Sequence, residues 1–181
     1  MLISKIFNLL IKELMIIMVN KIVSFSGYRP EKFAFIIKKG EAAYLALEKR
    51  IEDAVIKAVE DGYNTFFCGM AMGFDLIAGS TVYHLKETRS EMSNISLVAV
   101  LPFENHGFSN PWQVIHQVVL GKANEVITLS SKYYRQSYHD RNRYMVDHSS
   151  RLICYYDGQK GGTDFTVRYA KEKGLEVVNV F

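Results

Sequence analysis

Cysteine is scarce in this chain, two residues in 181, and both lie in apolar runs, Phe66-Phe67-Cys68 and Leu152-Ile153-Cys154. That excludes a disulfide framework and makes buried free thiols the expectation. Charge of one sign is lacking too: 22 Lys and Arg stand against 19 Asp and Glu, a net charge of +3. Such a balance excludes a dedicated polybasic binder but leaves room for a local anion site. Metal-ligand spacing is missing around the five histidines, and neither a Gly-Lys-Ser/Thr phosphate loop nor a nucleophile elbow occurs. No metal and no cofactor are therefore expected. Long apolar runs are missing as well. The most apolar stretch is at the start, where Ile3, Ile6, Phe7, Leu10, Leu14 and Ile17 recur at helical spacing. Lys5, Asn8, Lys12 and Glu13 interrupt it, and the unbroken apolar part runs only over 14–19. A membrane span needs about 20 apolar residues, and a secretory cleavage site is also lacking. A cytoplasmic protein without a membrane partner is expected. Residues 1–20 form a separate amphipathic helix or extension, with three readings open: a packing or oligomerising helix, a membrane-surface helix, or a leader upstream of a start at Met15 or Met18.

What the sequence does have is a globular profile, 49% hydrophobic, 13% aromatic and 23% charged. Its length suits one domain, which buries roughly 70% of the unfolded surface. From residue 21 onward strand and helix signals alternate. Strands are expected at 22–25, 65–68, 95–101, 126–129, 152–156 and 175–180. Helices are expected at 41–60, 73–86, 112–123, 138–149 and 163–173. No repeat, low-complexity tract or linker divides 21–181. The fold class is α/β: a Rossmann-like, doubly wound, mostly parallel sheet with helices on both faces, plus the extra N-terminal helix.

Ligands of such sheets bind outside the carboxyl ends of the strands. Those ends carry Ser26, Gly27 and Arg29; then Gly69, Met70, Gly73 and Asp75; then Pro102 and Glu104; and, after the fifth strand, Gly161, Gly162 and Thr163. Two of these loops are glycine-rich and run straight into helices. Glycine lets backbone approach an anion, and the first amides of a helix are free donors on a positive dipole end. A phosphate-bearing ligand follows, with Asp75 better suited to a ribose hydroxyl than to the phosphate itself. Four of the eight arginines, 135, 141, 143 and 151, fall in one 17-residue window. On the helix there, Arg143 and Asp147 are spaced to pair, while Arg141 has no acidic neighbour at 137 or 145 and is left for a ligand. Tyr133, Tyr134 and Tyr138 nearby have two readings, stacking on a base or plain loop packing. Cys68 has no identifiable base beside it, so Asp75 and Glu104 are the strand-end carboxylates available for acid–base work.

In order and spacing, Ser26-Gly27-Tyr28-Arg29-Pro30, Cys68 to Asp75, the arginine helix and Gly161-Gly162-Thr163 resemble the YpsA/YoqJ branch of the SLOG superfamily. That Rossmann-like group also holds the Lonely Guy phosphoribohydrolases and the DNA-processing protein DprA. The resemblance spans 21–181 and implies a nucleotide-derived ligand, of the ADP-ribose or cyclic-nucleotide kind. His139-Asp140-Arg141 is similar to the phosphoribohydrolase His-Glu-Arg, which puts Arg141 on their catalytic arginine. Gly162-Thr163 matches the Gly-Thr of their second motif, but Thr166 stands where their glutamate does. A reaction that cleaves an N-glycosidic bond needs that carboxylate. Three functions stay open: a non-catalytic sensor or sequestering domain, as in phage defence or counter-defence; a hydrolase using Glu104 or Asp75; and a DprA-like single-stranded DNA binder, which would want a longer basic, aromatic track. A homo-oligomer is expected as well.

Overall fold

The computed structural model describes residues 21–109 and 111–181. The expected N-terminal helix lies outside the described residues. Six strands form one sheet: β1 (Lys21–Gly27), β2 (Tyr63–Cys68), β3 (Ser96–Leu101), β4 (Glu125–Thr128), β5 (Arg151–Tyr155) and β6 (Glu176–Asn179). Between them run α1 (Ala42–Glu60), α2 (Phe74–Thr88), α3 (Trp112–Lys122), α4 (Ser137–Asp147) and α5 (Gly162–Glu172). The strand order is β4-β3-β2-β1-β5-β6, and every pairing is parallel. The sheet expected to be mostly parallel is wholly so, because each strand returns through a helix rather than a hairpin.

The side-chain alternation of the strands divides the core. Val23, Phe25, Phe66, Leu97, Ala99 and Ile153 face one way, into a cluster completed by Leu47, Ile51, Leu76, Ile77 and Val119 of α1, α2 and α3. Phe67, Val98 and Val100 face the other way, against Met145 of α4. Leu152 and Cys154 meet Val146 of α4 and Val167 and Ala170 of α5. Helix α1 forms because Tyr44, Leu47, Ile51, Val55 and Ala58 recur every three or four residues and are all buried. Each such aliphatic side chain contributes about 1.5–3 kcal/mol through burial. The helix stops at Asp61, followed by Gly62 with φ +86°.

Strand order reverses beside β1. After β1 the chain passes to α1 on one face; after β5 it passes to α5 on the other. The adjoining loops part above this junction and leave a crevice at the carboxyl ends of β1 and β5, the topological switch point.

Candidate functional site

The crevice encloses a cavity of about 370 Å³. The end of β1 supplies Ser26, Gly27, Tyr28, Arg29, Glu31 and Lys32, and the β2–α2 segment supplies Ala71 and Asp75. Helix α4 supplies Tyr138, His139, Arg141 and Asn142, with Arg135 just before it, and α5 supplies Gly162 and Thr163. Of the residues expected from sequence, Ser26, Gly27, Arg29, Asp75, Arg141, Gly162 and Thr163 meet here. Gly69, Met70, Gly73, Pro102, Glu104 and Gly161 are not in the lining. Lys32, Ala71 and Asn142 escaped the sequence reading. Only the position of Asn142 beside Arg141 and of Lys32 two residues after Pro30 could have signalled them.

Arg141 forms the floor. Its side chain is 5% exposed, and its Nη1 lies 3.7 Å from Oδ2 of the equally buried Asp75. Nε donates to Oδ1 of Asn142 at 2.8 Å, while Nη1 is buried without a hydrogen-bond partner. The expectation that Arg141 lacks an acidic partner is thus corrected: the carboxylate comes from α2, not from its own helix. The expected Arg143–Asp147 pair does not form either. Arg143 meets Asp140 at 3.2 Å and Asp147 meets Lys173 at 2.9 Å, since the end of α5 packs beside the last turn of α4.

The glycines of the β2–α2 loop leave room for neighbouring protein groups. A Cβ on Gly69 would stand 2.0 Å from Arg141 Nη1 and 2.7 Å from Asp75 Oδ2. Gly73 has φ +87°, and its Cβ would stand 2.5 Å from the carbonyl oxygen of Tyr28. That oxygen accepts the first amide of α2, Phe74 N, at 3.1 Å. Asp75 accepts the amides of Gly27 and Ala71. At the dipole end of α2, expected to bind an anion, Tyr28 O thus takes the first amide, and Asp75 in the first turn is a built-in anion. Met70 is fully buried with φ 59°, a conformation that disfavours any side chain.

Helix α5 differs. Its N-cap is Gly161, which offers no side-chain cap, and its hydrogen-bond ladder opens with Phe165 N donating to Gly161 O. The amides of Gly162, Thr163 and Asp164 precede that ladder and point out of the helix start. Thr163 lies in the first turn, not at the cap. Thr166, in the place of the phosphoribohydrolase glutamate, donates to Gly162 O and accepts from Asn142 Nδ2, each at 2.9 Å, tying α5 to α4.

Burial pushes the Asp75 carboxyl up to about 6, against the downward pull of Arg141. It also pushes Arg141 below its ordinary value, with Asp75 opposing. His106, packed against Phe103, Phe108, His116 and Tyr138, is driven down to about 4 by burial and then by Arg141. Burial raises the Cys68 thiol to about 12, and its Sγ donates to Asp75 O. It is no thiolate nucleophile at neutral pH. Glu104 is exposed, and its amide donates to Ser130 O. Among the described residues no cluster of three or more His, Cys, Asp or Glu can hold a metal, and no helix is long and apolar enough to cross a membrane.

Comparison with known proteins places the whole domain. The YpsA family model, described as the YspA SLOG family, matches residues 23–177. UPF0398 protein YpsA of Bacillus subtilis (strain 168) is 23% identical over 160 residues, covering 86% of this chain and 87% of the relative. A UPF0398 protein of Bacillus thuringiensis (strain Al Hakam) is 23% identical over 159 residues, covering 85% and 84%. Among solved structures, DNA processing protein A from Helicobacter pylori, described for its single-stranded DNA binding mode, superposes with a TM-score of 0.59 at 14% identity. The match covers 90% of this chain and 66% of that one, so the chain spans just under two thirds of its structural neighbour. At that identity the likeness is one of fold.

Proposed function

The chain belongs to the YspA SLOG family, and on that premise we propose that its switch-point crevice binds the phosphate of a nucleotide-derived small molecule and acts as a sensor or sequestering site. The observation that carries this reading is that the cavity is lined by Arg141, whose buried Nη1 has no hydrogen-bond partner, together with the start of α5, which has no side-chain cap. A buried guanidinium N–H left unpaired is costly; a phosphate oxygen satisfies it and accepts the α5 amides as well. Binding without chemistry is favoured by the carboxylates. Asp75 is held by Arg141 and two amides, Glu104 stands outside the crevice, and Thr166 is spent on the α4–α5 contact.

A thermal-shift series with AMP, ADP-ribose and cyclic nucleotides tests the proposal. A ligand at 100 times its dissociation constant stabilises by about 2.7 kcal/mol, and a domain of this size gains about 2–4 °C per kcal/mol. The double variant Asp75→Asn/Arg141→Met removes both buried charges together and should keep the fold while abolishing the shift. An undiminished shift in that variant sinks the proposal, and product formation by the wild type sinks its non-catalytic part. A second reading, single-stranded DNA, draws on the fold likeness to DNA processing protein A and on exposed Tyr133 and Tyr134 next to Arg135. It requires oligonucleotide binding that weakens steeply with salt.

A further inference from the structure

The cations of the crevice exceed what one phosphate needs. Building on the phosphate reading above, we infer that the crevice takes a ligand with two adjacent anionic groups, a diphosphate. Its inner group sits on Arg141 and the start of α5, its outer group on a rim made by Arg29 and Arg135. Four cations line the cavity against two carboxylates, and one of these, Asp75, is already engaged by Arg141 and the amides of Gly27 and Ala71. The guanidinium groups of Arg29 and Arg135 form no ion pair or hydrogen bond with any described residue. That of Arg29 is held over the ring of Tyr138, 5.5 Å from its centre, an arrangement that orients it and leaves its N–H edge for an acceptor.

The inner and outer guanidiniums are electrostatically linked. Arg29 is near enough to push the proton affinity of Arg141 down. An anion on Arg141 neutralises only the inner charge, and a second anionic group, bonded to the first, reaches the outer one. The volume agrees: about 370 Å³ lies in the range of cavities that hold whole small molecules rather than one oxyanion. Lys32 plays a different part. Its Nζ donates to Lys160 O at 3.4 Å and lies over the Tyr28 ring, fastening the β1 loop to the β5–α5 loop across the crevice.

Titration calorimetry with inorganic phosphate and inorganic pyrophosphate, without magnesium and at low salt, tests the inference. Pyrophosphate should bind tighter by about tenfold or more, the worth of one charge-assisted contact. The double variant Arg29→Ala/Arg135→Ala should bring the two anions to within about threefold, with the larger loss falling on pyrophosphate. Both side chains are exposed, so the melting temperature should hold. A control that removes equal charge away from the crevice, Lys39→Ala/Lys171→Ala, should keep the preference. Phosphate binding without preference for pyrophosphate, or a preference that survives in the Arg29/Arg135 variant, overturns the diphosphate inference alone. Failure of both anions to bind overturns it together with the phosphate reading beneath it.

Discussion

At the scale of single residues the site turns on one carboxylate. Asp75 does two opposed things: it offsets the cost of burying Arg141, and it competes with any anion for the same guanidinium. Its raised proton affinity, near 6, sets the pH at which that competition ends. As pH falls through about 6, Asp75 takes a proton and Arg141 is released, so affinity for an anion that does not itself titrate there, such as sulfate, should rise. Asp75→Asn should bind sulfate more tightly than the wild type at pH 7.5, by about tenfold for the 1.4 kcal/mol of a modest charge–charge contact. Its affinity should also lack the rise near pH 6. Calorimetry at several pH values checks both, and a variant with the wild-type pH profile would transfer the effect to another group. Truncating Arg141 alone is a poor probe, because it strands the Asp75 charge and costs about 3–5 kcal/mol of stability above that pH.

At the scale of elements, two glycine-rich helix starts that look alike in sequence have different tasks. Neither start has a side-chain cap, but at α2 Tyr28 O takes the first amide, Asp75 sits in the first turn and Gly73 packs tightly against the β1 loop, and no such acceptor meets the amides of Gly162, Thr163 and Asp164 among the described residues. Gly73→Val should therefore act on the fold rather than on the ligand. A branched side chain at φ +87°, with its Cβ 2.5 Å from Tyr28 O, costs about 1–3 kcal/mol in backbone strain before any clash is counted. Urea unfolding should show a lower midpoint. The fraction that stays folded should bind the anion with its usual affinity. Selective loss of binding at unchanged stability would return the α2 loop to the ligand site.

At the scale of the whole molecule, two buried groups next to the crevice give opposite pH dependences. The folded chain refuses a proton on His106 until about pH 4, while the ordinary histidine value is 6.5. Stability is therefore lost as pH falls through that window, by about 1.4 kcal/mol per pH unit. Asp75 works the other way: it protonates near 6 when folded and near 3.8 in an ordinary carboxylate, so acidification over that range stabilises with the same slope. Between pH 6 and 4 the two nearly cancel, although His116, also pushed down by burial, adds to the loss. Asp61, Asp147 and Asp164 lie below the ordinary carboxylate value of 3.8 and act only in stronger acid. Asp75→Asn removes the compensation, so its melting temperature should fall more steeply than the wild type's from pH 6.5 to 4. Equal slopes would take Asp75 out of the balance.

The sequence by itself determined the elements and their order. Apolar spacing in α1, short apolar runs in β2 and β3, and glycine stops such as Gly62 are local signals, and alternating strand and helix leaves few topologies for a parallel sheet. It also pointed to the crevice, because strand ends at a switch point follow from that order. Element edges moved by a residue or two: α4 ends at Asp147 rather than 149, and β6 covers Glu176–Asn179 rather than 175–180. What only the tertiary structure decided is which charges meet. Asp75 and Arg141 are 66 positions apart and pair because α2 and α4 approach the carboxyl edge of the sheet from opposite faces. Likewise Tyr28 O, from the β1 loop, takes the first amide of α2. Local patterns encode periodicity along one element, whereas charge pairing and cap occupancy depend on neighbours across the sheet that no spacing within a helix reveals.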